Sequence, residues 1–214
     1  MCHNEFPLRN RERKMFREIY AKYVLEYLFP NEYAILIHQD RPDLLDNIKN
    51  IGIEVTQAIN QESAAVMNNW NMSFCEPIER KRKEHIKRVE YYDKKYHHDI
   101  KFWKEDACNL KEIYNAINHK NKKYKTYPYE VMDLFVDTAD NYIVENENEL
   151  DELAETVLMI IKELNVLYRY VYLNITGYVY RFDTMKQNYK LYIFSPEKSF
   201  ELMEKTKEFI LQQK

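Results

Sequence analysis

The order of patterns along this chain predicts an α/β protein with a mixed central sheet flanked by helices. Three observations carry that expectation. Apolar residues recur at helical spacing over residues 9–29, at strand spacing over 42–57, and then in alternating helical and strand patterns to the C-terminus. Only two glycines occur, Gly52 and Gly177, so turns fall to Asn, Asp and Pro, which argues against a turn-rich sandwich or barrel. A length of 214 residues, 45% hydrophobic and 31% charged, suits one cored domain spanning 1–214, with 70–106 as a basic helical insertion.

Element by element, residues 9–29 read as an amphipathic helix with Phe16, Ile19, Tyr20, Tyr23, Tyr27 and Leu28 on its apolar stripe. Pro30 stops it. Tyr33–His38 is a short β-like run, and residues 42–57 hold two more joined by a polar turn at Asn47 and Asn50. Helices follow over 58–69 and Pro77–Tyr96, then over 107–125, where no proline or glycine interrupts. Val131–Ala139 reads as a strand and 148–164 as a helix burying Leu153, Val157, Ile160, Ile161 and Leu164. Three β-runs, Tyr170–Thr176, Tyr178–Asp183 and Tyr189–Phe194, precede a helix opened by Pro196 and ending near Leu211.

Composition excludes several functions. Two glycines leave no phosphate loop and no dinucleotide fingerprint. Cys2, Cys75 and Cys108 are odd in number and scattered, which argues against a disulfide framework and gives no zinc spacing. The N-terminus has no apolar signal core and no run approaches a membrane span, which predicts a cytoplasmic protein without a membrane partner. A net charge of −3 means that any nucleic-acid contact must come from local patches.

The chemistry concentrates in residues 42–57. In the second run Ile51, Ile53 and Val55 face one side, and Gly52, Glu54 and Thr56 the other. Folding the hairpin brings Asp43 near Glu54. Two carboxylates converging at a strand end can hold one hard divalent cation, which in turn can orient a water for phosphodiester cleavage. The bland alternative makes Asp43 a turn residue and Glu54 an edge-strand charge facing water. Against it, Glu54 lies in the apolar run Ile-Gly-Ile-Glu-Val, where a buried charge needs a partner.

Pro42-Asp43 followed on the next strand by Glu54-Val55-Thr56 resembles the PD-(D/E)xK nuclease superfamily, the restriction-endonuclease-like group. The resemblance implies a mixed sheet flanked by helices and a Mg²⁺- or Mn²⁺-dependent hydrolase acting on nucleic acid, DNA in particular. It also implies metal contacts from Asp43, Glu54 and the Val55 carbonyl. The departure is Thr56, which stands where the family places a lysine that helps activate water.

A substitute is available on the helix over 107–125. Leu110, Ile113, Ile117 and Tyr124 form one apolar stripe, and Lys120 lies on it between Ile117 and Tyr124. A lysine on a core-facing line either snorkels to the rim or meets carboxylates. The resemblance carries the lysine role onto Lys120, with Lys123 as the fallback. The alternative is a catalytically inactive nuclease-like domain that binds nucleic acid or protein. A third possibility is an unrelated α/β protein recognising a partner through Tyr168, Tyr170, Tyr172, Tyr178 and Tyr180, though alternating tyrosines fit half-buried sheet positions better.

Other features weigh less. Residues 79–95 are basic with adjacent Tyr91 and Tyr92, which fits either a nucleic-acid arm or a solvated helix stitched by pairs such as Arg80–Glu84. His97, His98 and Asp99 read as loop residues, and His119 points off the apolar stripe. Asp133 and Asp137, on the strand after the Lys120 helix, could support the site from outside, but an ordinary structural role is the better reading of both.

Overall fold

In the computed structural model, residues 10–95, 108–138, 147–175 and 177–213 are described. His97, His98, Asp99 and Cys2 lie outside them, as does the end of the anticipated insertion. The elements run α1 (Asn10–Leu28), β1 (Ile37–His38), β2 (Leu44–Asp46), β3 (Ile51–Gln57), α2 (Gln61–Cys75), α3 (Glu79–Lys95), α4 (Leu110–Lys123), β4 (Val131–Asp137), α5 (Glu147–Glu163), β5 (Tyr170–Ile175), β6 (Tyr178–Asp183), β7 (Asn188–Ile193) and α6 (Pro196–Gln212). The seven strands lie in sequence order in one sheet. β3 to β4 and β4 to β5 are parallel and the remaining pairs antiparallel, so the sheet is mixed.

Each face of the sheet carries its own apolar cluster. Ile51, Ile53, Val55, Phe135 and Tyr172 pack with Val24 and Leu25 of α1 and Leu202 of α6. Met132, Leu134, Val136, Val171 and Leu173 pack with Ile113 and Ile117 of α4 and Leu153, Val157 and Ile161 of α5. The period-2 alternation of β3 therefore sends Ile51, Ile53 and Val55 to the α1 side. Gly52, Glu54 and Thr56 are left on the α4 side, because they pair with Met132, Leu134 and Val136. Asn50 takes the left-handed conformation (φ 54°) that closes the β2–β3 turn, a role Asn fills readily.

Some element expectations shift. The run at Tyr33–His38 shrinks to the two residues of β1, because Tyr33 turns inward instead of extending. Its N–H donates to the Phe29 carbonyl and its hydroxyl donates to Asp133 at 2.6 Å. On α1 the buried stripe is Glu18, Ala21, Val24 and Leu25 beside Ile19, while Tyr20 and Tyr23 are half-buried and Tyr27 is exposed. Tyrosine rings carry a polar tip, so they settle at the rim, where the Tyr20 hydroxyl meets Ser199 of α6 at 3.3 Å. The helix expected over 58–69 starts at Gln61, because Asn60 caps it by accepting from the Ser63 N–H at 2.7 Å, and runs on to Cys75. α3 packs on α2 and buries no residue of its own. No described helix is long and apolar enough to cross a membrane.

Candidate active site

β2 and β3 build the first half of the site. Asp43 directly precedes β2, and its Oδ2 accepts the Val55 N–H at 2.8 Å. β2 pairs with β3 only through Ile51–Ile53, so the β2-side edge of β3 beyond Ile53 lies open to the Asp43 side chain. In a strand, one residue's N–H and C=O project to the same edge, so the Val55 carbonyl shares the edge facing Asp43. Gly52 makes the approach possible. A Cβ there would run into the Met132 sulfur and meet Pro42 Cγ at 2.8 Å, so only glycine lets Pro42-Asp43 close on β3.

The lysine arrives from α4. Ile113 and Ile117 are fully buried against the sheet, which fixes the rotation of the helix and aims Lys120 at β3. Its Nζ donates to Glu54 Oε2 and lies 3.7 Å from Asp43 Oδ2. The Lys120 carbonyl also accepts from the Tyr168 hydroxyl at 3.1 Å, which ties this turn of α4 to the segment before β5. Asp43, Glu54 and Lys120 thus meet at one point, with both acids 3% exposed. Lys123, the fallback, is exposed and turned away, and so is His119.

Further residues join this group that the sequence did not single out. Glu18 of α1 is buried, contacts His38 Nε2 at 2.7 Å and lies 3.2 Å from Lys14 Nζ. Lys14 also reaches Asp43 Oδ1 at 3.5 Å, so Glu18 and Asp43 share one cation. The available signal was Glu18 standing three and seven residues before Ala21 and Leu25, on the buried line of the helix. Tyr127, foreseen only as the end of the helix, lies close enough to feel the Glu54 carboxylate. Burial first, and Glu54 second, hold its hydroxyl above the usual phenol range.

Asp133 does not support this site. It projects to the opposite face, fully buried, where it accepts from Tyr33, from Arg169 Nε and Nη2 at 3.1 and 2.6 Å, and from the Tyr170 N–H at 3.0 Å. Pairing it with Ile53 across β3–β4 put it on the α1 side from the outset. Asp137 is nearer in effect. Its charge acts on Arg17, which also feels Glu18 and Asp43 and is lowered chiefly by burial. The tyrosine face is not a docking surface, since Tyr168, Tyr172 and Tyr180 are fully buried.

Electrostatics act on Asp43. Burial first, and the Glu54 charge second, push Asp43 up to about 6, against the pull of Lys120 and the Val55 N–H toward the charged form. The folded chain therefore holds a proton that the unfolded chain has released between about pH 4 and 6. In metal-free buffer the Asp43 contribution is fully present below about pH 4 and is lost as pH rises through about 6, a change of about 3 kcal/mol. Urea denaturation across that window should show wild type losing stability relative to Asp43→Asn. Parallel profiles for the two proteins would contradict it.

Among the described residues no three His, Cys, Asp or Glu side chains form a ready-made metal cage. Two carboxylates and a strand carbonyl are nevertheless the donors that suit Mg²⁺, which keeps several waters and takes one or two protein carboxylates beside substrate phosphates. The donor chemistry fits, and it is all hard oxygen. Comparison with protein-family models, curated proteins and solved structures gave no match.

Proposed function

We propose that this chain is a metal-dependent nuclease of restriction-endonuclease-like architecture, hydrolysing phosphodiester bonds of nucleic acid, DNA foremost. The observation that carries the reading is the convergence of Asp43, Glu54 and Lys120 from three separate elements onto one point. Thr56 leaves the family's lysine position empty, and Lys120 supplies an ammonium to the same carboxylates from α4.

Asp43, Glu54 and the Val55 carbonyl would hold Mg²⁺ or Mn²⁺, which when bound polarises a phosphate oxygen and acidifies a coordinated water. Lys120 orients the attacking water through a hydrogen bond and offsets charge that builds on the phosphate. Lys14, more than half exposed, offers a second cation at the rim for a neighbouring phosphate. α3, with eight basic and four acidic side chains and an exposed Tyr91, provides an arm able to follow the strand. The arm compensates locally for a chain whose overall charge is −3.

One observation favours a silent binding module as the second reading: the Lys120 ammonium already neutralises Glu54, so the cluster is electrostatically satisfied as it stands. Lys120→Met separates the two. If Lys120 is catalytic, Mg²⁺-dependent cleavage of a labelled oligonucleotide falls by about 10²-fold or more. A cleavage rate unchanged in Lys120→Met contradicts the assignment, and no cleavage by wild type in Mg²⁺ or Mn²⁺ supports the silent module.

A further inference from the structure

Arg13 and Arg17 stand one turn apart on α1, and both are half-buried. Among the described residues neither forms an ion pair. Arg169 and Arg181, half-buried likewise, each hold a carboxylate, at 2.6 and 2.7 Å. Two guanidinium groups without such a partner are costly, because each has lost water and like charges at this helical spacing repel. Burial first, and the Arg17 charge second, accordingly lower Arg13. Among the described residues, the group that pulls the other way is Cys75 at the end of α2.

The pair stands beside the acids of the site. α1 packs across β3 and β4. Its Lys14 lies 3.5 Å from Asp43 Oδ1 and 3.2 Å from Glu18 Oε1. Arg17 and Arg13 stand roughly 60° and 100° round the helix from Lys14, on the same side. Arg17 feels Glu18 and Asp43, together with Asp137 at the end of β4. Arg13 follows one turn, about 6 Å, nearer the N-terminus, beside Cys75. Positive charge therefore leads away from Asp43 in a line: Lys14, Arg17, Arg13.

We propose that Arg13 and Arg17 form a phosphate subsite, which grips the substrate strand at a phosphate adjoining the scissile one, whatever its bases. A guanidinium presents N–H donors in a fixed fork that matches two oxygens of one phosphate, and two forks a turn apart can share it. A strand with one phosphate at Asp43, Glu54 and Lys120 necessarily carries the next a nucleotide away. That anion relieves the repulsion within the pair and accepts from donors that no carboxylate takes. Glu18, Asp43 and Asp137 act on Arg17, so the phosphate sits toward Arg13. Contacts of this kind set register and carry no sequence information. The inference rests on the nuclease reading for what the strand is, and its test is independent of cleavage.

Binding of a labelled single-stranded oligonucleotide to the full chain is followed by fluorescence anisotropy in EDTA over a salt series. Arg13→Gln should weaken binding about tenfold at low salt, alike for all sequences. It should also reduce the steepness of log K against log salt by about 0.7, one phosphate contact on a single strand. Lys186→Gln, which removes an equal charge from the β6–β7 turn, should leave the slope unchanged. In chloride, Arg13→Gln should melt at or above the wild-type temperature, because the repulsion with Arg17 is gone. Inorganic phosphate should then raise the wild-type melting temperature more, since its general salting effect reaches both proteins and its site only one. A slope unchanged in Arg13→Gln, a slope lowered equally by Lys186→Gln, or equal gains from phosphate overturns the subsite. Strands with 5′-phosphate and 5′-hydroxyl separate the two sources of the anion: equal losses assign an internal phosphate, and a loss confined to the 5′-phosphate form assigns a strand end. Slope loss without any metal-dependent cleavage by wild type keeps the subsite and refutes the nuclease, whereas cleavage with an unchanged slope does the reverse.

Discussion

Glu54→Gln is expected to reduce Mg²⁺-dependent hydrolysis on the order of 10³-fold while leaving the protein folded. The substitution keeps shape and removes one of the two charges on which cation binding depends. Glu54 is buried on β3 and accepts from Lys120, so an amide of the same size retains that hydrogen bond. The fold therefore survives the change better than it would survive Glu54→Ala. Thermal denaturation should separate the two consequences. In wild type, Mg²⁺ should raise the melting temperature, because on the proposed reading it would bind the folded chain alone. In Glu54→Gln that increment should vanish, while the metal-free melting temperature stays within a few degrees. Removing the Glu54 charge also takes away the second cause of the raised Asp43 value, so the fall in stability between about pH 4 and 6 should shrink. Retained hydrolysis with an intact Mg²⁺ increment would remove Glu54 from the site.

Asp133→Ala should be the most destabilising single substitution on the opposite face, by about 3 kcal/mol or more. Its carboxylate gathers four donors: the Tyr33 hydroxyl, two guanidinium N–H groups of Arg169 and the Tyr170 N–H. Deleting it leaves the Tyr170 N–H without an acceptor and Arg169 with only the Tyr33 hydroxyl at 3.3 Å. Arg169 is about one third exposed in its side chain, which keeps the loss toward the lower end for a broken buried pair. Tyr33→Phe removes one of the four donors together with the 2.7 Å contact to the Tyr172 hydroxyl but leaves the carboxylate paired with Arg169, so it should cost less, about 2 kcal/mol. For a chain of this length, 3 kcal/mol corresponds to a fall of roughly 6–12 °C in melting temperature. Urea denaturation of both variants checks the ratio. An Asp133→Ala loss below that of Tyr33→Phe would show that the network contributes no more than its hydroxyl contact. Hydrolysis by the folded fraction should be unaffected, since Asp133 and the site lie on opposite faces.

What the sequence disclosed followed from how locally each residue's placement is determined. The alternation of Ile51 to Thr56 sent Glu54 to one face because strand period is a local property. Lys120 was legible because Ile113 and Ile117 define a helical line that a lysine interrupts. Glu18 was not legible, since it is two short apolar residues, Ala21 and Leu25, that mark its face, while the larger Phe16, Tyr20 and Tyr23 drew the stripe elsewhere. Tyr33 looked like strand by its neighbours and was taken inward by Asp133, a hundred residues away, which no local pattern records. The face of Asp133 was not legible for a related reason: it depends on which strand pairs with β4 and in what register. The mixed sheet with flanking helices was predicted and is present.

The most direct measurement is the anomalous density of a crystal of the wild-type chain soaked in Mn²⁺. The account predicts one peak within metal-ligand distance, about 2.0–2.3 Å, of oxygens from both Asp43 and Glu54, with the Lys120 ammonium displaced from between them but still beside Glu54. A saturated soak that leaves Lys120 clasped by the two carboxylates, with no peak at either, would contradict it.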